Sequence, residues 1–433
     1  MNTILYRVYT LSKNNTILGI SIIFACWIKF NIVLFTYNTY TGTKIFFPFF
    51  FLILLGITLG KLNRTILVNP QLWILIFFSI SFLSSVGYLN NPYDWGIYRQ
   101  KSLSLISYLS IYYGVLYLTK SQKKKLFFSV YIFSIISLIY VILQVYFDVS
   151  YTSGHMRTAF SGNKPYGILD NPNHSSGVLL IGFFFGISLA FYSRKFLIIF
   201  PLLFGFLLGM RKFNSFGALF GLAGGLAVMI AGLFPSFSLG KKVKGTFFLF
   251  FATWLAIFFS MIAFYWIYTV NFMEIQTLLS TEISSISQRL KLIEWATAIF
   301  LDNWCFGIGF ANDFNPEIHA LFNSQSFGVV RSLHIHTTIL SAFATTGIFG
   351  GSALVLLIAC TIFRFSYLFA NQIDKKGKVF IFSMFSMFIA IQILSYSAQM
   401  LFSICYWFSL ILPFLLDFTL PEDERTEEKS SIR

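Results

Sequence analysis

All five histidines of this 433-residue chain fall in two polar stretches of an otherwise apolar sequence: His155 and His174 in one, His319, His334 and His336 in the other. A neutral imidazole near its ordinary pKa of about 6.5 can take a proton from an attacking hydroxyl. Arginines accompany them, Arg157 in the first stretch and Arg289 in the second, and a guanidinium grips anionic oxygens through a fork that stays charged. Proton transfer and anion binding are therefore the chemistry this chain could gather. A zinc site built from His319, His334 and His336 is the alternative, but no fourth ligand stands at a usual spacing, so the general base ranks above it.

These residues have to be held by membrane spans. With 57% hydrophobic, 20% aromatic and only 11% charged residues, the chain is excluded from the soluble domains with a conventional polar surface. A span takes roughly 20 apolar residues. The sequence offers twelve, near 16–37, 45–60, 71–89, 102–119, 126–147, 176–192, 196–210, 216–234, 246–270, 348–369, 379–395 and 398–418. The first is as long as a span and no small-residue cleavage site follows it, so it reads as a retained signal anchor. With the N-terminus inside, twenty of the thirty-one lysines and arginines fall in cytoplasmic segments, which predicts both termini cytoplasmic and both histidine stretches external. The net charge of +15 is then explained by inward runs such as Lys123-Lys124-Lys125 facing anionic lipid, and nucleic acid is not implied. Residues 1–420 read as a single membrane domain. The tail at 421–433, with Glu422, Asp423, Glu424, Glu427 and Glu428, is expected to be cytoplasmic and disordered. Cys305 is the one cysteine expected outside, so no external disulfide pair exists, and no CxxC spacing suggests a metal.

Two external elaborations interrupt the spans. The first, about 150–175, is dense in Gly, Pro, Asn and Asp, which make turns; Asn173 or Ser175 is expected to cap the following span, while Arg157 and His174 sit near the headgroup level. The second, about 271–336, is too long for a mere connector. Within it Ile283, Ile286, Leu290, Ile293, Ala296 and Phe300 recur at spacings of three and four, predicting an amphipathic helix that lies along the outer membrane surface with Arg289, Lys291 and Glu294 on or beside its polar margin. Trp295 reads as an interface or packing residue. Gly307-Ile308-Gly309 permits a tight turn, and His334-Ile335-His336-Thr337-Thr338 opens a further apolar helix toward Gly347 and Gly350, with His336 in its first turn. His334, two residues earlier, points away from His336 on a helix.

Three blocks carry a resemblance: Gly167-x-Leu169-Asp170-Asn171-Pro172-Asn173-His174; Arg289 with Trp295, followed by Gly307-x-Gly309; and His336 with Leu340, followed by Gly347-x-x-Gly350. In order, spacing and topology they resemble the O-antigen ligase and O-antigen polymerase superfamily of bacterial surface-polysaccharide assembly. The resemblance implies an all-α integral membrane protein of about twelve spans, a multi-span GT-C-like glycosyltransferase with a long external loop before the tenth span. It implies transfer of a glycan from a polyprenyl diphosphate carrier to an acceptor hydroxyl, on lipid A core or another glycan, at the outer face of the bacterial inner membrane, with no cofactor or metal. The family's essential histidine maps onto His336 and one of its arginines onto Arg289. A second maps onto Arg211, although the local sequence Gly209-Met210-Arg211-Lys212 lacks the family's preceding serine. Thr337 and Thr345 also depart from the residues common there. Arg157 would join the diphosphate clamp, with Asn173 and His174 in a substrate loop. Ligase and polymerase share this pattern and stay open. A lipid-linked oligosaccharide flippase shares the span count, but it needs polar residues at mid-membrane, and only Lys29 is plainly there.

Overall fold

A computed structural model describes residues 19–25, 95–147, 165, 167, 169, 171–193, 196–213, 215–236, 292–309, 312, 335, 337–401 and 403–416. Apart from the short helix at 19–25, the described elements are α1 (Trp95–Leu116), α2 (Lys120–Phe147), α3 (Pro172–Ser193), α4 (Phe196–Phe213), α5 (Phe216–Ser236), α6 (292–302), α7 (Thr338–Asn371), α8 (Lys375–Ser397) and α9 (Ile404–Leu415). No strand occurs among the described residues. Four stretches are long and apolar enough to cross a membrane: Lys120–Tyr146, Pro172–Phe191, Thr338–Asn371 and Lys376–Tyr396. The chain is thus an α-helical membrane protein. Of the expected spans, 45–60, 71–89 and 246–270, and 16–37 apart from 19–25, lie outside the described residues, as does the tail at 421–433.

Helix α8 is the axis of the bundle. Phe382, Met384, Phe385, Met387, Phe388, Ile389, Ala390 and Ile391 are buried around its whole circumference, the mark of a helix enclosed by others rather than by solvent or lipid on one side. It packs against α3, α5, α7 and α9. The closest approach is to α5, where Gly221 and Gly225 let the backbones meet: a methyl on Gly221 would lie 2.5 Å from the Ala390 carbonyl oxygen, and one on Gly225 would lie 2.9 Å from that of Ser386. Without a hydrophobic force between helices in lipid, such small-residue contact supplies the dispersion that holds them.

Local chemistry sets the helix starts. Thr119 and Gln122 form a reciprocal cap at the head of α2, with Thr119 N donating to Gln122 Oε1 at 3.0 Å and Gln122 N to Thr119 Oγ1 at 3.3 Å. This stabilises a helix start that carries Lys120, Lys123, Lys124 and Lys125, charges which the helix dipole disfavours there. Asp374 caps α8 one way only, its carboxylate accepting from Gly377 N at 3.2 Å beside Lys376 and Lys378. The cap of α3 is neither Asn173 nor Ser175, as expected from sequence, but Asn171, whose Oδ1 accepts from Asn173 N at 2.9 Å and His174 N at 3.3 Å. Pro172 is the reason: it has no N–H to satisfy and its fixed φ suits the first helical position, so the helix begins before Asn173.

The last expected span, 398–418, also begins elsewhere. Residues 398–401 and 403 are not helical, and α9 starts only at Ile404. Helix α7 is broken at Gly347 (φ 66°, ψ −163°), which separates a short segment, 338–346, from a longer one. Exposed Ile348, Phe349, Val355, Leu356, Phe363 and Tyr367 recur along one side of the longer segment, the side left for lipid.

Candidate functional site

Both ends of the bundle carry polar groups, of different kinds. At one end lie the starts of α2 and α8 with their lysines. At the other the ends of α2, α4 and α8 meet the starts of α3, α5, α7 and α9, and there the two polar stretches singled out by their histidines converge.

The first stretch is tied down residue by residue. Gly167 N donates to Gln144 Oε1 near the end of α2 at 2.9 Å, Leu169 N donates to Ser175 Oγ at 3.1 Å, and Ser215 Oγ at the head of α5 donates to Asn173 Oδ1 at 2.7 Å. Asn173 therefore links α3 to α5. His174, partly buried, reaches across to the segment after α8, with Nε2 3.0 Å from the carbonyl oxygen of Gln399. A carbonyl can only accept, so Nε2 carries the proton and the lone pair of a neutral ring lies on Nδ1. The Cys405 thiol donates to the His174 carbonyl at 3.5 Å, closing the contact with α9.

The segment 396–401 receives donors from the start of α7 as well. Thr337 Oγ1 donates to the Tyr396 carbonyl and Thr338 Oγ1 to the Ala398 carbonyl, each at 3.2 Å. Met400 N donates back to Thr338 Oγ1 at 2.8 Å, and Gln399 Nε2 donates to Ser341 Oγ at 2.7 Å. Trp407 Nε1 donates to the Leu401 carbonyl at 2.8 Å. Ala398, Met400, Leu401 and Ser403 are buried, so these side chains do the work that water does for an exposed loop. Neither Gln399 nor Ser341 stands out in the sequence. The one available signal was the run Ser395-Tyr396-Ser397-Ala398-Gln399, polar groups between two apolar stretches, which reads as a plain connector.

The long loop is anchored on the break in α7. Ile308 N donates to the Ala344 carbonyl at 2.9 Å, Gly309 N to the Thr345 carbonyl at 3.1 Å, and Ile348 N to the Trp304 carbonyl at 2.8 Å. The carbonyls that α7 leaves open at Gly347 are thus used by the Gly307–Gly309 turn, whose glycines have φ 71° and 88°. The expected tight turn is there, and its partner is the second glycine motif.

Helix α6 corrects one expectation. Its buried face is Leu292, Trp295, Ala296 and Ile299, packed on Ile308, Ile335 and Ala344, so over the described residues the apolar face turns toward protein; Ile283, Ile286, Leu290 and Lys291 of the expected helix lie outside them. The expected stripe positions Ile293 and Phe300 are only partly covered, Phe300 meeting the ring of Phe343 edge-on at 5.2 Å. Trp295 is a packing residue. The apolar edge left open is Leu301, Trp304 and Phe306, and Phe306 touches Phe349 at 5.9 Å, which joins this edge to the exposed side of α7.

Among the expected site residues, Asn173 and His174 lie in the first turn of α3, and Arg211 lies exposed in the last turn of α4, all at the convergent end. Lys212 beside it sits 5.9 Å from the ring of Tyr146 at the end of α2. Arg157, Arg289 and His336 lie outside the described residues, and so do His155, His319 and His334. Ile335 and Thr337, which flank His336 in sequence, are both buried at this end. No protein-family model matches the chain and no curated protein matches it, so this end of the bundle is read from its own residues.

Proposed function

We propose that the chain is a polytopic membrane glycosyltransferase that moves a glycan from a polyprenyl diphosphate carrier to an acceptor hydroxyl at the outer face of a bacterial inner membrane. One observation carries the reading. The turn before α3, the end of α4 with Arg211, and the start of α7 directly after His336 meet at one end of the bundle, opposite the lysine-bearing starts of α2 and α8. Positive residues near span ends are retained in the cytoplasm, so the convergent end is assigned to the outside, within a plan of twelve spans and two cytoplasmic termini.

In this mechanism the acceptor oxygen attacks the anomeric carbon of the donor while the carbon–oxygen bond to the diphosphate breaks. His336 takes the hydroxyl proton, and the diphosphate leaves on its lipid. Arg289 and Arg211, with Arg157, hold the diphosphate oxygens and meet the charge that grows on them, which preorganised donors do more effectively than water. Arg211 is well placed for a lipid-borne group, since it projects from a helix end beside the apolar bundle.

The test is reconstitution of the full chain in lipid with a polyprenyl diphosphate glycan and two competing acceptors, lipid A core and a second copy of the lipid-linked glycan. Transfer that is lost in His336→Ala supports the reading, and product length distinguishes ligation from polymerisation. Wild-type protein that transfers to neither acceptor would overturn it.

A further inference from the structure

Residues 398–401 present a backbone problem that the fold solves in an unusual place. After α8 ends, no helix satisfies the carbonyls of Tyr396, Ala398, Gln399 and Leu401 or the N–H of Met400, and an unpaired group within an apolar protein is costly. Side chains of three helices fill the gap: His174 from α3, Thr337 and Thr338 from the start of α7, and Trp407 from α9. The dependence runs both ways. A segment that needs donors from α3 and α7 also holds the start of α7 in register against α3.

We infer that 398–401 is a strap that fixes the residues directly after His336, and that His174 is its positioning residue, acting through Nε2–H on the Gln399 carbonyl rather than as a second base. The inference deepens the proposed transfer reaction and rests on it for its consequence in turnover. Gln399 is the pivot. Its carbonyl accepts from His174 of α3 while its side chain donates to Ser341 of α7, so one residue bridges the first polar stretch and the start of α7. Thr338 is the second fastening, because its hydroxyl both donates to Ala398 and accepts from Met400. Nε2 already carries the proton that holds the carbonyl and has no lone pair to take another, so any base chemistry of His174 would need Nδ1, and a variant that keeps the donor without the imidazole separates the two roles.

Replacement by amides separates positioning from imidazole chemistry. The Nε2 of glutamine falls near the place of histidine Nε2 and can donate to the same carbonyl, whereas asparagine is too short to reach it. Removing one partner from a buried hydrogen bond weakens the closed arrangement by about five- to a hundredfold. In full-length protein in nanodiscs, His174→Ala and His174→Asn should raise hydrogen exchange at the Met400 amide by about that factor. With the polyprenyl diphosphate donor they should lower kcat comparably while leaving KM nearly unchanged. His174→Gln should restore both. Thr338→Val, which keeps the shape of threonine and loses its hydroxyl, should repeat the alanine result, and Thr338→Ser should not.

Unchanged exchange in His174→Ala would overturn the strap. A His174→Gln variant that keeps Met400 protected yet turns over as poorly as alanine would overturn the positioning role, since the imidazole itself would then be required. Should the wild type transfer no glycan, the proposed reaction fails, while the exchange measurements still decide whether His174 holds the strap.

Discussion

Substituting Gly347 by alanine strikes the joint on which the long loop is anchored, and its cost can be assembled from the structure. The residue has φ 66° and ψ −163°, a region essentially restricted to glycine, so any side chain there carries strain of about 1–3 kcal/mol. The new methyl would also run into the Cys305 carbonyl and lie 2.6 Å from Phe306 N. Both are backbone atoms, and no rotamer change relieves them. The turn at 303–309 must withdraw, which breaks Ile308 N to Ala344 O, Gly309 N to Thr345 O and Ile348 N to Trp304 O. At about 0.5–1.5 kcal/mol net for each bond, the total with strain comes to roughly 3–7 kcal/mol. The loop should detach from α7 before the bundle unfolds, so the assay is hydrogen exchange in nanodiscs at the amides of residues 308, 309 and 348. Even the lower bound corresponds to about a hundredfold faster exchange. Gly205→Ala in α4 is the comparator: its methyl meets only Leu138 Cδ2 at 3.1 Å, and alanine is the better helix former by about 0.8–1.0 kcal/mol, so protection should hardly change. If Gly347→Ala left those three amides within a few fold of wild type, the joint would not depend on the conformation of Gly347.

Other outcomes follow from the same arrangement. In a Cys305→Ser background, cysteine placed at the exposed position Thr297 should react with an impermeant maleimide from outside, and cysteine at exposed Lys124 only after permeabilisation; the reverse pattern would invert the orientation and every site assignment with it. Arg289→Lys should lower turnover about ten- to a hundredfold, because a lysine cannot hold two diphosphate oxygens as a fork, while Lys291→Arg should change little; equal small effects would remove Arg289 from the site. Transfer by the wild type should fall as the pH is lowered far enough to protonate the base, since an imidazolium cannot accept the acceptor's proton, and a flat profile through the acidic range would count against His336 as base. In nanodiscs with brominated acyl chains near the headgroups, Trp304→Phe should remove a quenched component of tryptophan emission. Trp304 is 58% exposed on the edge joined to Phe349, so an unchanged quenching fraction would place that edge away from lipid.

The sequence made the helices legible because their apolar runs are long: expected spans at 102–119, 126–147, 176–192, 196–210, 216–234 and 379–395 all fall on described helices. It was also informative where a residue type has one physical use, as at Gly307 and Gly309, which do form the expected turn. It misled where three residues competed for one role. Asn171, Asn173 and Ser175 are all acceptable caps, and only the proline at 172 decides among them. It misled again on α6, because spacing identifies an apolar stripe without saying what covers it. The Gln399 pivot was least legible, since its partners His174 and Ser341 lie 225 and 58 residues away in the chain.

The two irregular segments at the convergent end, the Gly347 break and the 398–401 strap, bear on why the proposed chemistry would sit there. Regular helices satisfy their own backbone and can cross lipid anywhere, whereas irregular backbone in an apolar setting survives only where neighbours supply every missing partner. Here the partners are drawn from the long loop in one case and from His174, Thr337, Thr338 and Trp407 in the other. Both segments clamp the same short helix, 338–346: the glycine turn holds its end and the strap holds its start. A helix fixed at both ends, within an otherwise lipid-embedded bundle, is a rigid mount for the residue that precedes it in the chain, which is the requirement placed on His336 by a base that must meet its substrate within hydrogen-bond reach.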